Sequence, residues 1–85
     1  MWYAFYTDWL DWEKTTALAN DLLIHGWTVS VSLRWREHTK TYRIVIRAYT
    51  YETNQEQAGQ WALGKAQVIT ETVGTEFKYH LEPRE

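Results

Sequence analysis

The chain contains no cysteine, and this absence removes several kinds of structure and chemistry at once. A disulfide framework, a zinc site with thiolate ligands and a cysteine nucleophile are all excluded. Proline and glycine are also scarce, with one and four residues among 85. We therefore expect little irregular loop, with the secondary-structure elements following one another closely in a single domain over residues 1–85.

Long apolar runs are missing as well. Residues 1–6 carry neither a basic region nor an extended apolar stretch, and no segment approaches the roughly 20 apolar residues of a membrane-spanning helix. We therefore expect no membrane contact and a cytoplasmic location. Six tryptophans and six tyrosines are typical of a folded protein and exclude a disordered tail.

The net charge is small, at -2, but it is unevenly distributed. Residues 27–51 hold five basic side chains and one acidic one, whereas the rest of the chain holds ten acidic and four basic residues. A basic element on an acidic body argues against wholesale polynucleotide binding and draws attention to the basic segment.

The longest clean pattern is a two-residue alternation over residues 27–51, which predicts a β-hairpin. Every second residue is apolar over 27–35 and again over 42–48. This is the period of a strand with one buried face, so we expect the apolar set to face a core. The connecting residues 37–40 contain no glycine or proline, which favours a four- or five-residue loop around a type I turn over a two-residue turn.

The hairpin is expected to project beyond its neighbour in the sheet. At roughly 3.3 Å per residue, arms of about ten residues extend some 10 Å past a first strand of about six residues, 2–7. Trp9 and Trp12 lie at the same end, and we expect them to pack under Trp35 and Tyr42.

A first helix is predicted between the first strand and the hairpin. Asp8 or Asp11 can accept hydrogen bonds from free amides at its start, and the pattern continues to about His25. Gly26 stands where a left-handed residue would end the helix.

A second helix is predicted after the hairpin. Residues 53–56 form a capping-box pattern, in which the Thr53 hydroxyl and the Glu56 carboxylate each satisfy a terminal amide, and Gly74 provides the stop. A narrow stripe should let this helix approach a sheet closely: Ala58, Ala62, Ala66, Ile69 and Val73.

Alternation over residues 76–82 predicts a last strand that Pro83 ends. The order is then strand, helix, strand, strand, helix, strand, which is the α+β arrangement βαββαβ called ferredoxin-like or split βαβ. Right-handed crossovers place both helices on one face of a four-stranded antiparallel sheet. The other face is left to solvent or to a partner.

The open sheet face and the hairpin tip carry the predicted partner-binding residues. The first strand adds either Trp2 and Tyr6 or Tyr3 and Phe5, because its pattern fits burial of either face. Arginine with aromatic neighbours is used both by protein interfaces and by single-strand nucleic-acid platforms. The predicted set is Arg34, Arg36, His38, Lys40, Arg43, Arg47, Tyr49, Tyr51 and Lys78.

A solvated face is the alternative to a binding face. In that interpretation the arginine side chains lie over tyrosine rings and pair with Glu37, Glu76 or Glu82.

No catalytic, metal or cofactor site is predicted. Residues 59–66 have P-loop spacing, but Ala66 stands where a serine or threonine must reach magnesium, and the run lies inside the predicted second helix. Gly59 and Gly64 are instead expected to ease close packing. The three histidines lack metal-ligand spacing, and no base is placed beside the serines. We therefore expect a protein that is not an enzyme and uses no cofactor.

These observations favour a small non-catalytic protein that binds another protein through the basic, aromatic sheet face and the projecting hairpin. In size, composition and topology the whole chain resembles the compact inhibitors that phages encode against host machinery, anti-CRISPR proteins included. Some of those proteins have ferredoxin-like folds. The resemblance, which rests on no shared motif, implies an inhibitor whose partner is a protein.

The order of elements also resembles the RNA-recognition-motif family, which implies a single-stranded nucleic-acid (RNA) binder as the alternative. That family carries a basic residue and base-stacking aromatics on its third strand. Residues 43–49 keep the basic residue and one aromatic, but Val45 and Arg47 stand where stacking rings are expected. Self-association into a homodimer, through the sheet face or an edge strand, is a third prediction.

Overall fold

A four-stranded antiparallel sheet with two helices forms the structure. The computed structural model describes residues 1–82, and Pro83, predicted to end the last strand, lies outside the described residues. The elements are β1 (Trp2–Tyr6), α1 (Trp12–Ile24), β2 (Ser30–Arg36), β3 (Thr39–Tyr49), α2 (Gln55–Val73) and β4 (Lys78–Glu82). The strand order is β2-β3-β1-β4, and the predicted α+β class is confirmed.

Both helices pack against the same face of the sheet. Tyr3 and Phe5 of β1 point to this face and are buried, which decides the question that the pattern of β1 left open. The same buried cluster holds Ile44 and Ile46 of β3 and Leu22 of α1. The predicted small-residue stripe of α2 is also part of it, because alanine side chains let the helix axis come close to the strands: Ala58, Ala62, Ala66 and Ile69.

The ends of α1 follow the local sequence signals. The carboxylate of Asp11 accepts a hydrogen bond from Lys14 N at 2.8 Å, so Asp11 is the N-cap of the two predicted candidates. Gly26 has a φ of 86°, which lies in the left-handed region that glycine adopts without a steric penalty.

The start of α2 differs from the prediction by one residue. The N-cap is Asn54, whose side-chain oxygen accepts from Glu56 N and Gln57 N, and the expected Thr53 cap is wrong. Asparagine ranks above threonine at this position, because its side-chain oxygen reaches the first free amides readily. Gly74 ends the helix with a φ of 74°, as predicted.

The two glycines inside α2 do not ease close packing. A Cβ atom added to Gly59 or Gly64 would meet no atom within 4 Å, because both positions face open space. The packing interpretation of these glycines is therefore wrong.

The long strand β3 divides into two parts with different neighbours. Residues 45–49 pair with β1, and residues 39–45 pair with β2. The segment after β1 continues this edge only as far as a bridge between Leu10 and Tyr42. Residues 39–44 of β3 lie beyond the last pair with β1, Tyr6 with Val45, and at about 3.3 Å per residue they span roughly 20 Å. The hairpin therefore projects past the first strand as predicted, but further than the expected distance of about 10 Å. The hairpin contributes to a longest molecular dimension of 43 Å.

The hairpin turn is shorter than predicted. Arg36 pairs directly with Thr39, so the turn contains only Glu37 and His38, with φ angles of 51° and 64°. Positive φ at both residues is the mark of a type I′ turn, whose twist matches that of the flanking strands. The expected longer loop is wrong because the pairing register of the two strands, and not the chemistry of the turn residues, determines the loop length here.

The apolar side of the projecting hairpin remains largely exposed. Val31, Leu33 and Trp35 lie on the helix side of the sheet, but they are 47%, 57% and 62% exposed. The expectation that this apolar set faces a core is therefore wrong for these three residues. The alternation of β2 determines the direction of its side chains, while burial also needs a helix across from them.

Candidate functional site

The candidate site is the sheet surface that points away from the two helices, called the open face below. Its position follows from the cross-strand register, in which Tyr6 lies opposite Val45 on one side and Lys78 on the other. By alternation the surface is carried by Trp2, Ala4, Tyr6, Ser30, Ser32, Arg34, Arg36, Thr39, Thr41, Arg43, Val45, Arg47, Tyr49, Lys78, His80 and Glu82.

Trp9 covers one end of the open face and orders two arginines. The guanidinium carbon of Arg34 lies 4.2 Å from a Trp9 ring centroid, and that of Arg43 lies 4.5 Å from it. Arg43 also contacts the Tyr6 ring at 4.8 Å, and its Nε donates a hydrogen bond of 2.8 Å to Thr7 O. The Arg43 guanidinium is therefore fixed through its Nε against the Trp9 and Tyr6 rings, and its terminal nitrogens make no hydrogen bond to residues 1–82.

Two buried polar atoms beside this cluster lack a hydrogen-bond partner within the described part of the chain. They are Arg34 Nε and Thr41 Oγ1, which belong to residues directly opposite each other on β2 and β3. Leaving a buried donor or acceptor unsatisfied costs about 1–3 kcal/mol.

The opposite side of the open face is held by ion pairs. Arg47 Nε lies 2.8 Å from Glu82 Oε1, although the two groups are not aligned for a hydrogen bond. Lys78 Nζ donates a hydrogen bond of 2.7 Å to Asp8 Oδ1. This hydrogen bond, reinforced by the charge of Lys78, lowers the pKa of Asp8 below its usual value, and Asp8 raises the pKa of Lys78 for the same reason.

A shallow depression lies between the arginine cluster and these ion pairs. Its volume is about 330 Å³. Its base includes the small side chains of Ala4 and Val45, which lie on neighbouring strands and are both buried. Its polar lining comes from Arg43, Arg47, His80, Glu82 and Ser32, and its aromatic lining from Tyr6 and Trp9.

A row of aromatic rings continues from the far end of β3. Trp2 and Tyr49 contact each other edge to face at 5.4 Å, and Tyr49 contacts Tyr51 in the same way at 5.0 Å. Tyr51 is almost fully exposed, and Tyr49 is half-exposed. The row therefore leaves aromatic surface exposed at this end of the open face.

The hairpin tip separates three predicted site residues from the rest. His38 occupies the turn, and Arg36 is exposed beside it. Lys40 lies opposite Trp35 and on the helix side of the hairpin, with its Nζ 5.2 Å from the Trp35 ring centroid. The structure thus brings Arg34, Arg36, Arg43, Arg47, Tyr49 and Lys78 onto the open face, with Arg36 near the tip and Tyr51 at the edge. It leaves His38 in the turn and Lys40 on the helix side.

Sequence reasoning missed Trp9, Asp8 and Thr41 as parts of this surface. Trp9 was expected under Trp35 and Tyr42, but only Trp12 contacts Tyr42, at 4.8 Å. Trp9 instead lies on the opposite side of the sheet, because the irregular segment after β1 crosses the end of that strand. An irregular segment has no periodicity, so no sequence pattern indicates which face it will cover.

The described residues contain no group of three or more histidine and acidic side chains arranged to hold a metal ion. Within the same residues, neither helix combines the length and the apolar character that crossing a membrane requires. Comparisons with protein-family models, with curated proteins and with solved structures find no match to this chain.

Proposed function

We propose that this chain is a non-catalytic protein-binding domain that uses the open face as its binding surface. The observation that carries the proposal is the arginine cluster around Trp9, where the guanidinium groups of Arg34 and Arg43 are both held against the indole ring. Tryptophan, tyrosine and arginine are the residues that most often dominate the energy of protein interfaces. Here all three types occur on one surface that no helix of the described residues covers.

The arrangement of charge favours a protein over a nucleic acid as the partner. Two of the basic groups, Arg47 and Lys78, are paired with Glu82 and Asp8. A phosphate backbone would have to compete with these carboxylates, and phosphate contacts provide most of the affinity of nucleic-acid binders. The net charge of -2 adds no general attraction to phosphate.

The chemistry of the face also indicates what the partner should present. A carboxylate placed over Arg34 and Arg43 could accept two hydrogen bonds from a guanidinium fork. The neighbouring depression has room for an apolar or aromatic side chain above Ala4 and Val45. We therefore expect an acidic residue next to an aromatic or aliphatic one on the partner surface.

Site-specific photocross-linking tests this proposal. A variant with benzoylphenylalanine at Tyr49 would be produced in the cells that naturally make the chain, and its adducts identified by mass spectrometry. A matched variant with the same group at Leu63, an exposed residue of α2, controls for random contact. We expect a protein adduct from position 49 and none of the same mass from position 63.

Arginine variants connect the adduct to the proposed cluster. Arg34→Ala with Arg43→Ala should abolish the adduct and weaken binding of the purified partner at least tenfold, because both guanidinium groups and their hydrogen-bond donors are removed. Lys14→Ala, on the exposed side of α1, should leave both unchanged. Equal binding by the arginine variant and the unchanged chain would contradict the proposal.

The nucleic-acid alternative is separated by a titration with short single-stranded RNA and DNA at low and moderate salt. Binding that weakened steeply with salt and required Arg43 and Arg47 would replace the protein-binding proposal. Binding absent at both salt concentrations is the expected result.

We further propose that the fold is ferredoxin-like. The order βαββαβ along the chain, with β1 and β3 adjacent at the centre of the sheet, supports this class. The narrower hypothesis of a phage-type inhibitor rests on size, composition and topology, and it stays a prediction.

A further inference from the structure

The free edge of β2 exposes a row of unpaired backbone groups. Tyr42 exchanges two backbone hydrogen bonds of 2.7 Å with Leu10, so its N–H and C=O point away from β2. Leu33 lies opposite Tyr42. In an antiparallel pair the bonded and non-bonded positions alternate, so the backbone groups of Leu33 must point away from β3.

The same argument extends along the strand. Val31 lies opposite Ile44, whose C=O accepts from Thr7 N at 3.1 Å on the other side of β3. Trp35 lies two residues further along β2 than Leu33, so alternation also directs its backbone groups away from β3. Val31, Leu33 and Trp35 therefore direct both backbone groups to the outer edge of the sheet, where no described residue pairs with them.

These three residues are also the exposed apolar residues of β2. A long edge strand with exposed apolar side chains tends to pair with another strand unless a charge, a proline or a bulge prevents it. The seven residues of β2 contain no proline, and the Arg34 side chain lies over Trp9 on the open face. On the helix side β2 itself carries no charge; Lys40 of β3 lies over Trp35, and it leaves Val31 and Leu33 unguarded.

We propose that β2 pairs with the β2 strand of a second copy, forming a two-fold symmetric homodimer with a continuous eight-stranded sheet. The two-fold axis passes through the Leu33 pair. Leu33 then faces Leu33 of the second copy, and Val31 faces Trp35, so three apolar pairs form on the helix side. This surface is distinct from the open face, and the inference goes beyond the proposed function.

The charges of β2 select this register among those that bonding permits. On the other side of the strand, Ser32 faces Arg34 and Ser30 faces Arg36, so no like charges oppose each other. Moving the axis to Arg34 would place two Arg34 side chains directly opposite, which is unfavourable. Moving it to Ser32 would extend the ladder into residues 28–29, which are outside the strand.

Sedimentation equilibrium tests the oligomeric state. We expect a mass twice the 10.2 kDa of the chain, falling toward 10.2 kDa on dilution. Leu33→Lys should shift the chain to the monomer, because two ammonium groups would meet at the axis. Leu81→Lys, on the opposite edge strand β4, is the matched control and should leave the dimer intact.

Cysteine cross-linking tests the register without interference, since the chain has no cysteine of its own. Leu33→Cys places two sulfurs across a hydrogen-bonded pair with Cα atoms about 5.5 Å apart, within the range of about 4.4–6.8 Å for disulfides. We expect a disulfide-linked dimer under mild oxidation. Ser32→Cys should not cross-link, because its Cα atoms lie on a diagonal about 7–8 Å apart.

Three results would overturn the inference. A monomer mass at several hundred micromolar would exclude the dimer, and cross-linking by Ser32→Cys in place of Leu33→Cys would exclude the register. A dimer that Leu33→Lys does not disrupt would move the interface away from β2. Arg43→Ala, which tests the open face, should leave the mass unchanged, so that failure of one proposal is distinguishable from failure of the other.

Discussion

Ile44 and Leu33 belong to the same hairpin and the same side of the sheet, yet their environments differ completely. Ile44 is 0% exposed, whereas Leu33, which lies opposite Tyr42 and closer to the tip, is 57% exposed. Both fit the same apolar alternation. The difference comes from α1, which packs on β3 near Ile44 and leaves the helix side of β2 uncovered. An alternating pattern therefore identifies the apolar side of a strand, but the neighbouring layer determines whether that side is a core or an interface.

A matched pair of truncations gives the largest expected effect. Ile44→Ala should reduce the free energy of unfolding by about 2–5 kcal/mol, because it leaves a cavity in the buried cluster. Leu33→Ala should reduce it by less than about 1 kcal/mol. Urea unfolding followed by circular dichroism, at a protein concentration low enough to keep the chain monomeric, measures both. Equal losses would show that the hairpin has a core of its own.

Substitutions at the glycines of α2 change the stability of the helix without touching the hairpin. Gly59→Ala and Gly64→Ala should each stabilise the fold by about 1 kcal/mol, since alanine favours helix and the added Cβ meets no neighbouring atom. Gly74→Ala is the control and should destabilise it, because its φ of 74° is unfavourable for alanine. Thermal unfolding measures all three, and a destabilising Gly64→Ala would contradict the observed open space around that residue.

Substitutions in the turn between β2 and β3 change the stability of the hairpin without touching α2. Replacing Glu37 and His38 with Asn and Gly should stabilise the hairpin by on the order of 1 kcal/mol, because both residues have positive φ, which the new pair tolerates. Hydrogen exchange of the β2 and β3 amides near the tip is the direct measurement. We expect slower exchange there and no change in α2, and His38→Gly alone should give part of the effect.

The smallest effect concerns the exposed pair of Asp8 and Lys78. The lowered pKa of Asp8 means that its contribution is present above the ordinary carboxyl value of 3.8 and is lost as the pH falls through the lowered value. The raised pKa of Lys78 means that its contribution is present below 10.5 and is lost as the pH rises through the raised value.

Nuclear magnetic resonance titration of the Asp8 carboxyl group tests this pair. Lys78→Met should raise the Asp8 pKa back toward its ordinary value, because both the hydrogen bond and the charge are removed. Lys65→Met, on α2, should leave it unchanged. An Asp8 pKa that did not respond to Lys78→Met would show that the pair does not persist in solution.

Local signals predicted most of the fold. Asp11, Gly26 and Gly74 each act within one turn of a helix, and the order of the elements followed from periodicity alone. The turn at Glu37 and His38 was not predictable in this way, because its length depends on the register of the flanking strands. The exposed side of β2 could not be predicted either, since its cover would have to come from elements distant in sequence.

The candidate site was predictable only in its periodic part. Arg43 and Arg47 on the open face followed from alternation, and the pairing of Arg47 with Glu82 was one of the alternatives that the sequence offered. The contact between Asp8 and Lys78 joins residues separated by 70 positions. The placement of Trp9 depends on an irregular segment, for which the sequence contains no periodic signal.

The path of that irregular segment has a practical consequence for spectroscopy. Trp9 and Trp12 are separated by only two residues, yet one contacts Arg34 and Arg43 on the open face and the other contacts Tyr42 on the helix side. A ligand on the open face should change the indole emission of Trp9, and pairing at the edge of β2 should instead affect Trp12 and Trp35. Single Trp→Phe variants can thus provide native optical reporters for the two sides of one sheet.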